Sequence, residues 1–145
     1  KRYWSGWDRL MLYFAYGSNL NHFQMKRRCK DSKFIKKYKI KNYRLNFRSK
    51  YRAADIEKKK NSIVPGALYE ISKSDEKKLD IYEDFPILYK KIYFKYYNRK
   101  IMSYIMTKKS VFRYPTEKYL NVIKQGYKDC DLNKSYLFKA LKNIK

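Results

Sequence analysis

The sequence predicts a domain of the α+β class. Its segments read in the order strand, helix, several strands, helix, strands and two closing helices, and neither a glycine-rich nucleotide-binding signature nor an internal repeat is visible. The 145 residues are 44% hydrophobic and 19% aromatic, which is enough apolar material for one core of ordinary size. This composition argues against disorder, despite a formal net charge of +24.

The first predicted elements are a buried strand and a short helix. Residues 11–16 are apolar and aromatic without interruption, which is typical of a core strand. Gly17 breaks the strand, and Ser18 or Asn19 can cap a helix over residues 20–29. The basic residues of this helix are expected to face solvent: Lys26, Arg27 and Arg28.

A polar stretch separates the next two predicted strands. Alternation predicts one strand over residues 35–46, and an apolar run with a proline near its beginning predicts another over 64–71. Between them, residues 48–62 are predicted to form a loop, with room for a short strand at 53–56.

The second half of the chain adds a helix, a hairpin and two closing helices. Ser72 or Ser74 caps the first helix, acidic residues occupy its first turn, and Pro86 ends it. The later segments follow in chain order, as two alternating strands and then two helices: 89–97, 101–107, 116–127 and 133–143.

Composition also bounds the compartment and the chemistry. Residues 1–10 hold both tryptophans and are interpreted as an N-terminal extension to a single domain over residues 11–145. No apolar run is long enough to span a bilayer, and no secretory signal is visible. Cys29 and Cys130 are too few for a disulfide scaffold or a zinc site, so a cytoplasmic location without metal or cofactor is expected. His22, the single histidine, is expected on the surface and argues against a Cys–His or Ser–His nucleophile pair.

The strong positive charge favours an alternative function, that of a non-catalytic module whose basic surface binds nucleic acid or another polyanion. Phosphate neutralisation by Lys and Arg drives such binding. However, lysine outnumbers arginine 28 to 9, whereas bidentate recognition of phosphate and guanine prefers arginine. Lys, Tyr, Ile and Asn are all favoured by AT-rich codons, which is a second origin for the lysines. Weak electrostatic binding to polyanions is expected in either case.

Two features carry candidate chemistry. The sequence Tyr16-Gly17-Ser18-Asn19-Leu20 is a strand-to-helix turn, and free N–H groups at such a turn suit a carboxylate or an oxyanion. Glu83 lies one turn after Leu79, and a carboxyl group among aromatic side chains would have a raised pKa, suited to general acid–base catalysis. The alternative for Glu83 is an ordinary solvated side chain between two other acids.

Together these residues resemble the γ-glutamylcyclotransferase family (γ-glutamylcyclotransferase-like, AIG2-like). The resemblance runs in the family's order from about Leu12 to Leu141. It rests on five segments: Leu12–Leu20, Val64–Ile71, Leu79-Asp80-x-Tyr82-Glu83 followed by Tyr89, Ser103–Met106, and Tyr119-Leu-x-x-Ile123-x-x-Gly126. It implies a small, mixed, strongly curved sheet that closes toward a barrel with helices around it.

The resemblance also implies an activity, namely release of 5-oxoproline from a γ-glutamyl amide by attack of the substrate's own α-amine. It assigns Glu83 as the general acid and base. The implied substrate-binding residues are Tyr16, Gly17, Ser18, Asn19, Leu20, Tyr89 and Tyr104. The sequence departs from the family at Asp84, where glycine is frequent, and at Asp131-Leu132-Asn133, where Gly-Leu-Pro is common. The leaving group stays open among amino acids, glutathione, amines and biosynthetic intermediates, as does the oligomeric state.

Overall fold

A computed structural model of the chain describes residues 10–144. Residues 1–9 of the predicted extension lie outside the described residues. In chain order, the strands of the described part are β1 Met11–Ala15, β2 Lys33–Arg48, β3 Ala53–Ile71, β4 Tyr89–Tyr96 and β5 Arg99–Met106. The helices are α1 His22–Arg28, α2 Lys73–Tyr82, α3 Glu117–Asp129 and α4 Ser135–Lys142, and Ser18–Leu20 forms a turn of 3-10 helix. The predicted α+β class is confirmed.

The five strands form one mixed sheet in the order β2-β3-β1-β5-β4. β1 pairs in parallel with β5 and antiparallel with β3, and the remaining pairs are antiparallel. The two edge strands are not hydrogen-bonded to each other, but their side chains meet: the ring centroids of Tyr38 and Tyr96 are 5.5 Å apart, and those of Tyr43 and Phe94 are 5.3 Å apart. The expected strong curvature is therefore present, although no backbone ladder closes the barrel.

The stretch predicted to be a loop is mostly strand. β2 and β3 form one long hairpin whose turn is short, and residues 53–58 continue the ladder. Residues 59–62 belong to β3 but lie in an irregularity, and the pairing resumes at Ile63. Charged partners face each other across it, with Arg48 3.3 Å from Asp55 and 2.7 Å from Glu57, while Arg44 also binds Glu57. These polar residues favour a strand because each gains a cross-strand partner, which a linear pattern does not reveal.

β1 lies in the middle of the sheet and leads directly into the turn at Gly17. Phe14 is fully buried, and Gly66 on β3 makes room for it, since a Cβ there would lie 2.5 Å from the Phe14 ring and against the carbonyl of Ala15. Close packing of this kind fixes where β1 ends and where the turn after it begins.

The helices begin at side-chain caps. Ser72 caps α2 as predicted, in a capping box with Asp75. The cap of α1 is Asn21, whose side chain accepts from the Gln24 N–H, so the expected cap at Ser18 or Asn19 is wrong by two to three residues because the 3-10 turn comes first. Within the described residues, none of the helices has the length and apolarity needed to cross a membrane.

Candidate active site

The turn after β1 presents unused backbone amides. The N–H of Leu20 donates to the Gly17 carbonyl at 3.0 Å and that of Asn21 to the Ser18 carbonyl at 3.1 Å. The N–H groups of Gly17, Ser18 and Asn19 find no acceptor within residues 10–144. Three adjacent free amides form a concentrated set of donors for a carboxylate or an oxyanion.

Leu20 differs from its neighbours in the turn. Its side chain is fully buried, and its own N–H is used by the turn. It packs against α3, where Gly126 leaves room: a Cβ at that position would lie 2.6 Å from the Cβ of Leu20. The structure thus places Leu20 behind the turn rather than in the cavity.

Glu83 directly follows α2, and its N–H closes the last turn by donating to the Leu79 carbonyl at 2.8 Å. The hydroxyl groups of Tyr82 and Ser18 are 2.8 Å apart, so a hydrogen bond joins the end of α2 to the amide turn. The Glu83 side chain is partly buried and faces the same cavity as the turn. The two candidate features, 64 residues apart in sequence, therefore come together.

The cavity between them has a volume of about 480 Å³, within the usual range for small-molecule sites. Seven of the eight predicted site residues line it: Tyr16, Gly17, Ser18, Asn19, Glu83, Tyr89 and Tyr104. The lining is completed by residues that the sequence prediction did not include: Tyr13, Tyr51, Ala53, Ala54, Ile81, Tyr82, Asp84, Leu88 and Tyr119.

The surroundings of Glu83 favour its protonated form. Burial raises the pKa of its carboxyl group to about 7, and the guanidinium of Arg28 opposes this increase without cancelling it. A carboxyl group that titrates near neutrality can both accept and return a proton at physiological pH.

The predicted tyrosines form the walls of the cavity. The hydroxyl of Tyr16 donates to the Tyr104 carbonyl at 2.6 Å, that of Tyr104 to the Asp80 carboxylate at 2.6 Å, and that of Tyr89 to the Ala54 carbonyl at 2.6 Å. Burial raises the pKa of all three phenols, so they are neutral at physiological pH. Their hydroxyl protons are engaged by the protein, and the rings are held rigidly in place.

Two residues that contact the site, Tyr119 and Arg28, were given no role in it by the sequence prediction. Tyr119 lines the cavity and accepts the Ala54 N–H at 3.0 Å, and the only signal for it was its place in the family-like α3 motif. Arg28 was expected to face solvent, which is wrong. Its guanidinium carbon lies 3.4 Å from the Tyr82 ring centroid, and its Nη1 donates to Asn19 Oδ1. Helical spacing alone could not reveal this, because both partners belong to other elements.

Outside the cavity, His22 and Cys130 are neighbours. His22, expected on the surface, is half-buried: its ring packs against Phe34 at 4.9 Å, and its Nε2 is 3.4 Å from the Cys130 sulfur. Burial raises the pKa of the Cys130 thiol to about 12, which disfavours the thiolate needed for nucleophilic attack. Across residues 10–144, no three His, Cys, Asp or Glu side chains are grouped as metal ligands would be.

Comparison with known proteins gives consistent results. The model of the family described as gamma-glutamyl cyclotransferase, AIG2-like, matches residues 13–127. Among solved structures, an uncharacterized protein from Homo sapiens is 26% identical with a TM-score of 0.77, and the match covers 94% of this chain and 89% of the human one. A structure described as gamma-glutamyl cyclotransferase is 25% identical with a TM-score of 0.75, covering 94% and 88%.

A third match supports the fold alone. The YkqA protein of Bacillus subtilis is 20% identical with a TM-score of 0.75, and the alignment covers 93% of this chain but 55% of YkqA. No curated protein sequence matches the chain significantly.

Proposed function

Because the chain belongs to the gamma-glutamyl cyclotransferase, AIG2-like family, we propose that it releases 5-oxoproline from a γ-glutamyl amide. The observation that carries this proposal is the shared cavity: a carboxyl group that titrates near neutrality, Glu83, faces a turn with three unused amides. Such a pair supplies a proton carrier and an anion-binding site, which are the two groups that intramolecular amide cleavage needs.

In the proposed reaction the substrate provides the nucleophile. The α-amine attacks the γ-carbonyl carbon, a new C–N bond closes the five-membered lactam, and the C–N bond to the leaving amine breaks. The α-nitrogen loses two protons as it changes from an ammonium to the lactam N–H, and the leaving nitrogen gains two as it changes from an amide to an ammonium. Glu83 carries these protons one at a time from the first nitrogen to the second, so no net proton is consumed. Positioned acid–base catalysis of this kind contributes roughly 10²–10⁴-fold to rate.

The rest of the cavity orients the substrate. The amides of Gly17, Ser18 and Asn19 bind the glutamyl carboxylate or the oxyanion that develops on the γ-carbonyl. The tyrosine walls exclude water and keep the glutamyl chain folded back upon itself. Holding the two reacting groups together is worth up to about 10⁵–10⁸ M in effective concentration for well-oriented systems.

The test is a panel of γ-glutamyl amides, including γ-glutamyl amino acids, glutathione and γ-glutamyl amines, with detection of the lactam by mass spectrometry. At least one amide is expected to yield 5-oxoproline, and Glu83→Gln is expected to lower that rate by roughly 10²–10⁴-fold. The matched control is Glu117→Gln, the same change at an exposed position outside the cavity, which leaves the rate unaltered. Absence of lactam from every amide with the folded parent protein would refute the proposal.

A second observation supports an additional binding function. A separate cavity of about 750 Å³ lies between β2 and the start of α4, and within the described chain it shares no lining residue with the first. Lys37, Lys39 and Lys41 line it, with Lys37 in an ion pair with Asp131 at 3.0 Å. The ring of Tyr136 lies 5.9 Å from the Lys39 ammonium. Positive charge beside an aromatic face is what single-stranded nucleic acid binds, through its phosphates and its bases. We propose this groove as the site of such binding.

A further inference from the structure

Arg28, at the end of α1, contacts both halves of the candidate site. Its guanidinium donates to Asn19 Oδ1 in the amide turn, and its planar group lies over the Tyr82 ring, 3.4 Å from the centroid. A second nitrogen of the same group donates to Gln24 at 3.3 Å, one helical turn earlier. Asn19 belongs to the turn that holds the free amides, and Tyr82 is the residue directly before Glu83.

These contacts are part of a closed set of interactions. Asn19 is fixed on its other side, where its side-chain N–H donates to the Tyr13 hydroxyl at 3.0 Å. Tyr82 is fixed at its far end by the hydrogen bond with Ser18. Arg28 is therefore a second link between the amide turn and the end of α2, beside the hydrogen bond between Ser18 and Tyr82. A planar guanidinium suits this role, because it stacks on a ring and donates hydrogen bonds within its plane at the same time.

We propose that Arg28 is a positioning residue that clamps the amide turn to the end of α2 and so sets the place and the charge of Glu83 relative to the bound substrate. The effect on turnover rests on the cyclotransferase activity proposed above. The clamp itself is a property of the folded protein and can be tested without substrate.

The charges around Glu83 make Arg28 the group that matters for ionisation. Tyr13, Tyr16, Tyr89, Tyr104 and Tyr119 face the cavity as neutral phenols, because burial raises the pKa of each. Two acidic residues lie near Glu83. Asp80 is bound by Lys91 and Tyr104, and Asp84 is exposed to solvent.

Arg28 is thus the positive charge within the described chain that stabilises the carboxylate form of Glu83. With a pKa of about 7, the carboxyl group is close to half ionised at neutral pH. Loss of the guanidinium would raise the pKa further and leave less of the base in its reactive form.

The first experiment follows the Glu83 carboxyl directly. The chain contains five glutamates, so labelling their carboxyl carbons with ¹³C gives a spectrum simple enough for pH titration, and Glu83→Gln assigns the signal. Arg28→Gln is expected to move the midpoint of Glu83 to higher pH, whereas Arg28→Lys, which keeps the charge, leaves it close to that of the parent. Arg27→Gln is the matched control, because Arg27 lies on the same helix, packs on the exposed Phe23 and does not line the cavity.

The second experiment separates position from charge. Arg28→Lys retains the charge but loses the planar stack on Tyr82, so its kcat is expected to fall by about tenfold or more while its pH profile keeps the parent's shape. Arg28→Gln lowers kcat and also moves the profile toward higher pH. Both variants are first checked for a native amide spectrum. If Arg28→Gln does not fold, the kcat and pH profile of Arg28→Lys decide the result.

The outcomes distinguish the two proposals. An unchanged Glu83 midpoint in folded Arg28→Gln, or full activity in both Arg28 variants, would overturn the clamp. A parent protein that yields no lactam from any γ-glutamyl amide would overturn the proposed function instead, while the carbon titration would still decide the role of Arg28.

Discussion

At the scale of single residues, the behaviour of Glu83 follows from two opposing effects. Removal from water disfavours the carboxylate, and the charge of Arg28 favours it; burial is the larger effect, so the pKa rises from 4.5 to about 7. The same residue on an open helix face would titrate near its usual value and would be fully ionised at neutral pH. The raised pKa of Glu83 therefore results from the packing of β1, α1 and α2 around it and is not a property of the isolated side chain.

The raised pKa of Glu83 predicts that the folded protein loses stability as the pH rises. A group whose pKa is raised on folding stabilises the native state fully below its unfolded pKa of 4.5 and loses that contribution as the pH rises through about 7. Glu83→Gln, which is neutral at every pH, is therefore expected to melt at a higher temperature than the parent at about pH 8, with the difference disappearing below about pH 4.5.

Thermal unfolding of both proteins across this pH range measures the effect. A difference in melting temperature that stayed constant with pH would mean that the Glu83 carboxyl is solvated in the folded state. In the proposed mechanism the same titration has the opposite consequence: kcat/KM is expected to rise as Glu83 loses its proton, with a midpoint near 7.

At the scale of secondary-structure elements, the sequence could predict those parts that depend on neighbours along the chain. The apolar run of β1, the Ser72 cap of α2 and the turn at Gly17 are local patterns, and each is found where it was expected. The long hairpin was missed, since residues 53–62 look like a loop until the fold brings Asp55 and Glu57 within ion-pair distance of Arg48. Arg28 was missed for the same reason, because its partners are brought to it by the fold.

Packing between elements predicts a result for Gly126→Ala. Alanine is favoured over glycine within a helix by about 1 kcal/mol, but here its Cβ would lie 2.7 Å from Asn21 N and from the Leu20 carbonyl carbon, both backbone atoms. Overpacking costs roughly 1–3 kcal/mol, and backbone cannot turn aside as a side chain can. Because the clash is with backbone atoms, the cost lies at the upper end of that range, and a net loss of about 2 kcal/mol is expected. Activity is expected to fall as well, because α3 would push on the amide turn.

Chemical denaturation of Gly126→Ala measures this loss. The control is Asn121→Ala, a substitution at an exposed position of the same helix, which gains helix propensity without a clash and is expected to be neutral or stabilising. Equal stability of Gly126→Ala and the parent would contradict this, because it would show that the contact between α3 and the turn can accommodate an added methyl group.

At the scale of the whole molecule, the sequence sets the net charge, and the fold determines where the lysines lie on the surface. A net charge of +24 gives any polyanion a favourable long-range approach, whatever face it meets. The distribution of lysines decides whether this attraction becomes a site. On β2, Lys37, Lys39 and Lys41 alternate with residues of the other face, so all three project into the same groove beside α4.

A comparison of two double variants with the same change in net charge tests the groove. Lys39→Glu with Lys41→Glu alters the groove, and Lys77→Glu with Lys78→Glu alters two exposed residues of α2 that line neither cavity. With a labelled oligothymidylate of about 15 nucleotides, the groove variant is expected to bind about tenfold more weakly, and its logarithmic salt dependence to become shallower by about 0.7 for each phosphate that it no longer neutralises. The α2 variant retains most of the affinity, because it changes the distant field and leaves the groove lysines in place.

Tyr136→Leu is expected to weaken binding of the oligonucleotide but not of inorganic polyphosphate, which has no base to stack. If both double variants lose affinity equally, the lysines act only as a diffuse field and the groove is not a binding site.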